Sequence, residues 1–258
     1  MQSRARKTTS TLCKLAIFDL DGTILDTLAD LAASTNAALQ AHALPLRSVD
    51  EVRQFVGNGI RNLIVRAVCA ASGVACNERM SAAGADSSTE PQAAVLVCAP
   101  ADSSLLPLID AVHAAFTAHY REHCADRTCA YDGIPALLSA LRAAGVHTAV
   151  VSNKADYGVQ ELCARYFPAL FDYAVGERAD IRRKPAPDSV LHVMGRFGTA
   201  PADAVYIGDS DVDIATARNA GIRCISVTWG FRSEGFLRTH GATTLVSSPA
   251  ELQAAILG

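Results

Sequence analysis

Two pairs of aspartates are the residues best suited to chemistry in this sequence. Asp19 and Asp21 directly follow the apolar segment 15–18, and in an extended chain residues two positions apart point to the same side. Asp209 and Asp213 are four positions apart where a helix is predicted to begin, so they share one helix face. Neighbouring carboxylates repel each other unless a cation neutralises them, and Mg²⁺ prefers oxygen ligands. The pairs therefore predict a magnesium site, although Asp209 and Asp213 alone could simply stabilise a helix start.

Small polar residues and a lysine at other positions suit an anionic substrate. Gly22 and Thr23 form a predicted tight turn whose backbone N–H groups could face a phosphate. Ser152 and Asn153 follow a predicted strand, and Lys184 lies on a loop after the next one. Ser152 and Lys184 could bind phosphoryl oxygens, although each residue taken alone is more typical of a turn or of the surface.

Short β-branched segments that alternate with amphipathic helices predict how these residues come together. This alternation is typical of βαβ units and predicts an α/β fold, a doubly wound parallel sheet covered by helices on both faces. Ligands bind such sheets at the carboxyl ends of the strands, where the aspartates and Ser152 are found. The predicted strands are 14–18, 148–151, 173–175, 204–207 and 223–227, and the predicted helices between them are 134–144, 155–166, 188–197 and 212–220.

The first strand is separated from the others by a block of helical periodicity. We therefore predict a discontinuous α/β catalytic core of residues 1–25 and 130–258, into which an α-helical cap of residues 26–129 is inserted. Residues 72–104 are rich in Ala and Ser and lack clear periodicity, which predicts an irregular insertion with a helical piece around 92–98. The predicted helices of the cap are 27–42, 48–56, 59–71 and 105–123.

Composition excludes several classes of protein. The chain has 258 residues, of which 50% are hydrophobic, so it can bury a substantial core and is not expected to be disordered. A net charge of −3 argues against nucleic-acid binding through bulk charge. The longest apolar run, Ala93–Ala99, is much shorter than the roughly 20 residues of a membrane span. No apolar segment typical of a secretory signal follows the basic N-terminus, and the eight scattered cysteines form no CxxC pair, so we predict a soluble cytoplasmic protein with free thiols.

Taken together, the motifs resemble those of the haloacid dehalogenase superfamily of phosphatases. The matching segments are DLDGT at 19–23, VSNK at 151–154, Lys184-Pro185 and GDSDVD at 208–213, and they occur in the order of that family over nearly the whole chain. The resemblance implies a Rossmann-like core and a Mg²⁺-dependent phosphomonoesterase. It implies that Asp19 is the nucleophile and a Mg²⁺ ligand, and that Asp21 is the general acid/base with its backbone carbonyl on the metal.

The resemblance also implies roles for the remaining motif residues. Asp209 would be a further Mg²⁺ ligand, and Asp213 would support the ligands without binding the metal. Ser152, Asn153 and Lys184 would bind the phosphate. The implied mechanism is in-line attack by a carboxylate, formation of an aspartyl-phosphate, and hydrolysis by a water that the acid/base residue activates.

Segments outside these motifs resemble phosphoglycolate phosphatases in particular. They are 25–31, 55–60 and 228–232, and they imply hydrolysis of 2-phosphoglycolate to glycolate and phosphate. The chain departs from that family in two respects: Ser152 stands where threonine is common, and the 72–104 segment is longer and less regular than the usual cap.

The second anion of phosphoglycolate, its carboxylate, needs a partner on the cap. The Gly57–Gly59 loop could supply N–H groups, and we predict Asn58 and Arg61 as substrate contacts. Arg53 and Arg66 are further candidates for the same role. For any single arginine, a solvated surface charge is the favoured interpretation, and the loop is equally well explained as a plain helix-breaking turn.

Other functions stay open on the same motifs. A pyrophosphatase, a nucleotidase or another small-phosphomonoester phosphatase of the superfamily is the main alternative. A dehalogenase would lack Asp21, a sugar-phosphate mutase would usually lack Thr23, and a phospho-receiver domain would lack a helical insertion. A binding module without catalysis is disfavoured by the complete set of motif residues. The expected partner is a small phosphorylated metabolite, with no nucleic acid or membrane, and the protein is expected to be a monomer or a homodimer.

Overall fold

The computed structural model describes residues 13–82 and 94–258, which form a six-stranded parallel sheet, ten α-helices, two short 3-10 helices and two small antiparallel pairs. The order in the main sheet is β10-β9-β8-β1-β6-β7, and every neighbouring pair is parallel. The strands are β1 (Leu15–Phe18), β2 (Leu25–Asp26), β3 (Cys76–Ala82), β4 (Ala94–Pro100), β5 (Cys129–Ala130), β6 (His147–Ala155), β7 (Tyr173–Glu177), β8 (Ala204–Gly208), β9 (Arg223–Val227) and β10 (Leu245–Val246). The helices are α1 (Leu28–Ala41), α2 (Val49–Phe55), α3 (Ile60–Ser72), α4 (Leu106–His123), α5 (Ile134–Ala143), α6 (Asp156–Tyr166), α7 (Asp188–Phe197), α8 (Asp211–Asn219), α9 (Glu234–Thr239) and α10 (Pro249–Leu257).

Helices cover both faces of the sheet, which confirms the predicted doubly wound parallel fold. Successive side chains of a strand point to opposite faces, and in β1 they enter two different cores. Ala16 and Phe18 belong to a core formed with α5, α6 and α10, whereas Leu15 and Ile17 pack under α7 and α8. Burial on both faces explains why β1 is apolar throughout and why its polar residues begin only at its carboxyl end.

Helices α1 to α4 pack on one another above the carboxyl end of the sheet. Leu31, Leu39, Ile64, Ile109 and Phe116 are buried among these helices and continue the same apolar core that covers one face of the sheet. The short antiparallel pair β2–β5 joins the two chain crossings beside this helical group. The division into a core and a cap at residues 26 and 129 stays a prediction.

A buried carboxylate also ties the two chain crossings together. Asp30, near the start of α1, accepts hydrogen bonds from the backbone N–H groups of Arg127 and Thr128 at 3.0 and 2.8 Å. The Thr128 hydroxyl donates to the same carboxylate at 2.8 Å. These bonds fix the segment that leaves the helical group against the helix that enters it.

The helix predicted around residues 92–98 is wrong for the part that the structure describes. Residues from 94 onward form β4, which pairs with β3 in an antiparallel hairpin from Cys76↔Pro100 to Ala82↔Ala94. Two stretches of the segment predicted to be irregular are therefore regular strands, whereas residues 83–93 lie outside the described part of the chain. The partner strand supplies hydrogen bonds that periodicity within one segment does not reveal, so local pattern could not predict the pairing.

Polar contacts fasten this hairpin to α3. The side-chain carbonyl of Asn62 accepts a hydrogen bond from the backbone N–H of Cys98 at 3.0 Å. Arg66 forms an ion pair with Glu78 at 2.8 Å and also donates to the carbonyl of Phe55, at the end of α2. The hairpin is thus an integral part of the helical group.

Two further observations concern the cysteines and the lengths of the helices. All eight cysteines are free thiols, and five of them are buried. None of the helices within residues 13–82 and 94–258 is long and apolar enough to cross a membrane.

Candidate active site

Three buried carboxylates meet at the carboxyl ends of β1 and β8. One oxygen each of Asp19, Asp209 and Asp213 lies within 4.8 Å of the others. The ammonium of Lys184 lies among them, 2.9 Å from Asp19 and 2.8 Å from Asp213. The structure therefore brings together residues that are separated by up to 194 positions in the sequence, as the shared sheet edge predicts.

The charges of this cluster are not balanced by the protein groups in direct contact with it. When all three carboxylates are ionised, they exceed the one neighbouring ammonium group by two negative charges in a buried site. Burial and the neighbouring Asp213 raise the pKa of Asp19 well above its ordinary range, although Lys184 opposes this shift. Burial, again with Asp213, raises the pKa of Asp209 to about 7. The donor set therefore fits a divalent cation with a preference for oxygen, such as Mg²⁺.

Glycines leave the space that these carboxylates occupy. A Cβ atom at Gly22, where φ is +83°, would lie 2.4 Å from an Asp209 oxygen. At Gly208 it would lie 2.3 Å from the Asp213 side chain, and at Gly230 it would lie 2.3 Å from Asp209. The Thr23 hydroxyl at 3.3 Å and the Phe231 N–H at 2.7 Å then donate to Asp209 and hold it in place.

Asp213 has both roles that its sequence position allows: it stabilises the start of a helix and it belongs to the carboxylate cluster. One of its oxygens accepts from the backbone N–H and the hydroxyl of Ser210, at 3.1 and 2.6 Å, at the start of α8. Its other oxygen accepts from Lys184 and, at 3.3 Å, from the Tyr206 hydroxyl. Asp213 is fully buried and its oxygens are occupied by protein donors, so it caps the helix and positions Lys184 at once.

Ser152 and Asn153 lie in β6 beside the carboxylate cluster, but their side chains act differently. Asn153 donates to the carbonyl of Lys184 at 3.0 Å and accepts from its N–H at 2.8 Å. Its amide therefore holds the loop that carries the lysine. The hydroxyl of Ser152 accepts from the N–H of Lys154 at 3.2 Å, and Ser152 lines the cavity above the cluster.

Lys154 is a buried residue of the site that the sequence did not single out. Its ammonium contacts both oxygens of Asp21, at 2.9 and 3.2 Å, and donates to the Tyr120 hydroxyl at 2.6 Å. The motif at 151–154 contains this lysine, but local pattern gives no information on a partner 133 positions away. The sequence signal that could have identified Lys154 is a charged residue near the end of a buried strand.

A cavity of ≈ 60 Å³ lies between the sheet edge and the helical group. Asp19, Asp21, Ser152, Lys184 and Asp209 line it from below. From above it is lined by Leu31, Val56, Gly57, Gly59, Ile60 and Leu63. The cavity thus has a charged floor and a roof of apolar side chains and glycine backbone.

Asn58 and the three arginines predicted near this roof do not line the cavity. Asn58 is buried, and its carbonyl accepts from the Asn62 amide at 2.9 Å. Arg61 forms a 2.6 Å ion pair with Asp110, and Arg53 forms a 3.0 Å ion pair with Asp50. The third arginine, Arg66, is held by the hairpin as described above. The geometry therefore places these arginines in ion pairs of the helical group, away from the charged floor.

Arg232 is a second cavity-lining residue that the sequence did not assign. It follows β9, and its guanidinium donates to the carbonyls of Arg53 at 2.8 Å and Val56 at 2.5 Å. These carbonyls belong to the end of α2, just before Gly57. Arg232 therefore joins the segment after β9 to the glycine loop above the site.

Comparison with known proteins agrees with this geometry. The sequence profile of a family described as haloacid dehalogenase-like hydrolase matches residues 16–227. A phosphoglycolate phosphatase of Chromobacterium violaceum is 31% identical over 93% of this chain and 94% of its own length. An N-acetylmuramic acid 6-phosphate phosphatase of Pseudomonas aeruginosa is 30% identical over 93% and 92%.

A solved structure shows the same similarity in three dimensions. A protein of Lactobacillus delbrueckii subsp. bulgaricus superposes with a TM-score of 0.80 and 39% identity, covering 95% of this chain and 98% of that one. The family profile spans five of the six strands of the sheet, the carboxylate cluster and the helices above it. The chain therefore belongs to the haloacid dehalogenase-like hydrolases and is an enzyme similar to phosphoglycolate phosphatases.

Proposed function

We propose that the protein is a Mg²⁺-dependent phosphomonoesterase that works through an aspartyl-phosphate and hydrolyses 2-phosphoglycolate to glycolate and phosphate. The observation that carries this proposal is the surplus of buried negative charge around Asp19 beside the Asp21 carboxylate, under a small cavity. Such an arrangement supplies a nucleophile, a proton donor and an electrostatic requirement for a divalent cation at one point.

In the first half of the reaction, Asp19 attacks the phosphorus. A bond forms between its carboxylate oxygen and phosphorus while the bond from phosphorus to the leaving oxygen breaks. Asp21, protonated on one oxygen while the other keeps its contact with Lys154, gives that proton to the leaving oxygen, which departs as an alcohol. Ser152 and Lys184 bind the remaining phosphoryl oxygens and keep the attack in line. The N–H groups of Gly22 and Thr23, which the sequence suggested for this task, donate instead within the turn, to the carbonyls of Leu25 and Leu20.

In the second half, water hydrolyses the aspartyl-phosphate. Asp21, now a carboxylate, takes a proton from the water as its oxygen attacks phosphorus. The bond between phosphorus and the Asp19 oxygen breaks, so inorganic phosphate leaves and both aspartates return to their starting states. The two aspartates thus have separate tasks: Asp19 bonds to phosphorus, and Asp21 exchanges protons with the leaving oxygen and the water.

Asp19, Asp209 and the backbone carbonyl of Asp21 would hold the Mg²⁺. When bound, the ion neutralises the repulsion between the phosphate and the carboxylate that attacks it. Asp213 keeps Lys184 oriented and is not needed as a ligand, because its oxygens already accept four protein donors.

The roof of the cavity supports a small substrate. A cavity of ≈ 60 Å³ suits a short carbon chain better than a nucleoside. The second anion of phosphoglycolate would be met by N–H groups of Gly57 and Gly59 and by the nearby guanidinium of Arg232. Arg61, which pairs with Asp110, is the weaker candidate.

A related sugar phosphatase supports a second candidate substrate. The identity to an N-acetylmuramic acid 6-phosphate phosphatase, 30%, lies within the range of 26% to 31% found for phosphoglycolate phosphatases. Phosphate release should be measured with phosphoglycolate, N-acetylmuramic acid 6-phosphate, nucleotides and pyrophosphate, each with Mg²⁺. We expect the highest kcat/KM with phosphoglycolate. A higher value for any other substrate would overturn the substrate assignment, and no release from any of them would overturn the phosphatase itself.

The cellular setting belongs to the same proposal. Eight free thiols are typical of a reducing compartment, so we propose that the enzyme is cytoplasmic. We further propose the core and cap boundaries predicted from the sequence, because the β2–β5 pair and the Asp30 contacts lie where the chain passes between the two parts.

A further inference from the structure

Lys154 connects the proposed acid/base residue to the helical group above it. Its ammonium contacts both carboxylate oxygens of Asp21 and so defines the plane of that group. The lysine side chain is only 3% exposed, whereas that of Asp21 is 17% exposed and faces the cavity. A buried ammonium that binds a partly exposed carboxylate fixes the orientation of that carboxylate and leaves it accessible from the cavity.

Tyr120 in turn fixes Lys154. The Tyr120 hydroxyl lies 2.6 Å from the ammonium, and the ammonium also lies 4.7 Å from the centre of the tyrosine ring. The ring stacks on Phe116 at 5.2 Å, so helix α4 holds it rigidly. Burial raises the pKa of Tyr120 above its usual range, so the hydroxyl remains neutral. The chain of contacts therefore runs from α4 through Tyr120 and Lys154 to Asp21.

We infer that Lys154 and Tyr120 are positioning residues that hold the Asp21 carboxyl group in the direction needed for proton transfer to the leaving oxygen. This inference rests on the proposed function of Asp21. Proton transfer requires a hydrogen-bond distance and direction, and small displacements of a catalytic group are costly in rate. Neither residue needs to touch the phosphate for this purpose. The position of α4 then decides whether Asp21 is correctly oriented.

The test uses leaving groups of different acidity, because only a poor leaving group needs a proton from Asp21. 4-Nitrophenyl phosphate and phenyl phosphate are similar in size, but 4-nitrophenolate departs without protonation. The ratio kcat/KM reports the steps through phosphoryl transfer to Asp19. We expect Tyr120→Phe to lower it about 10-fold for phenyl phosphate and by less than about 3-fold for 4-nitrophenyl phosphate. Lys154→Met should show the same selectivity with a larger loss, about 100-fold for phenyl phosphate.

A double-mutant cycle shows whether Tyr120 acts through Lys154. In the Lys154→Met background, adding Tyr120→Phe should not lower kcat/KM further for either aryl phosphate, because the contact between the tyrosine hydroxyl and the lysine is already absent. Tyr166→Phe is the matched control: its hydroxyl donates to the Thr128 carbonyl at 2.8 Å, and neither residue lines the cavity. That variant should show no leaving-group selectivity.

Each remaining outcome is decisive. Equal losses for both substrates, or additive losses in the double variant, would show a merely structural role and overturn the inference. Asp21→Asn serves as the reference for the proposed function. If it shows no leaving-group selectivity, the acid role of Asp21 is wrong; if it shows selectivity and Tyr120→Phe does not, only the positioning role is wrong. Thermal denaturation of every variant checks that losses do not come from unfolding.

Discussion

The sheet edge and the helical group above it contribute to the same cavity in different ways. At the sheet edge the charged groups are buried and bonded to one another, as Lys184 is to Asp19 and Asp213. In the helical group the arginines lie in partly exposed ion pairs, and the cavity receives apolar side chains and glycine backbone instead. We therefore expect the polar floor to carry the chemistry and the roof to select substrates mainly by shape and by N–H groups.

Two contacts join the floor to the roof. Arg232 reaches from the segment after β9 to the carbonyls that precede the glycine loop. Lys154 reaches from β6 to Tyr120 on α4. Substitutions in the floor should therefore abolish turnover, whereas substitutions on the outer side of the roof should change little.

The largest effect is expected for Asp19→Asn in the floor. An amide cannot form the acyl-phosphate, so kcat should fall on the order of 10³-fold or more while the fold remains. Phosphate release and the thermal midpoint measure the two consequences. Asp180→Asn, in an exposed ion pair with Arg178, is the control and should leave kcat unchanged. A variant that keeps a tenth of the wild-type rate would exclude Asp19 as the nucleophile.

Metal removal should be equally damaging but reversible. EDTA should stop turnover and Mg²⁺ should restore it, because the ion neutralises the surplus negative charge of the carboxylate cluster. Turnover that persists without any divalent cation would exclude a metal role for Asp209.

The stability of the metal-free protein should depend on pH with a defined sign. The pKa of Asp209 is about 7 in the fold against 3.8 ordinarily, so the folded state holds a proton that the unfolded state has lost between these values. The free energy of unfolding should therefore fall as pH rises through that window. Mg²⁺ should raise the thermal midpoint more at pH 8 than at pH 5, since it competes with protons. An equal shift at both pH values would contradict this expectation.

Gly22→Ala should show how far the activity depends on the position of Asp209, because it displaces that carboxylate without removing it. A Cβ atom there would press on Asp209 at 2.4 Å in a backbone conformation that alanine rarely adopts. We expect kcat to fall about 100-fold, with a loss of about 1–3 kcal/mol in the free energy of unfolding. Gly195→Ala, in α7 with open space around it, is the matched control and should keep full activity.

The smallest effect is expected in the roof, for Arg61→Ala. Its ion pair with Asp110 is 44% exposed on the arginine side and lies outside the cavity. Exposed pairs contribute about 0–1 kcal/mol, so kcat/KM for phosphoglycolate should change by less than about 2-fold. Arg232→Lys, which alters a guanidinium that lines the cavity, should raise KM more than Arg61→Ala does. The reverse order would restore Arg61 as a substrate contact.

Much of the floor could be predicted from the sequence, because its residues follow short apolar strands. Parallel strands end at one edge of a sheet, so polar residues after β1, β6 and β8 had to meet there. Helix and strand positions in this part agree with the periodicity to within a few residues. The expectation that Asp209 and Asp213 share one helix face is wrong, because α8 begins after Ser210 and Asp209 lies in the turn after β8, but the two carboxylates still meet. Asp213 both caps α8 and holds Lys184.

Only the tertiary structure decided the roof and its connections. The β3–β4 pairing joins strands whose hydrogen-bond partners lie outside each local segment, so periodicity wrongly suggested a helix for residues from 94 onward. Local sequence likewise could not show that Arg61 pairs with Asp110, or that Lys154 lies between Asp21 and Tyr120. Periodicity reports which face of an element is buried, whereas the partner of a charged side chain depends on how distant elements pack. The sequence therefore determined which polar residues meet at the sheet edge, and the packing of α1 to α4 on the sheet determined what surrounds them.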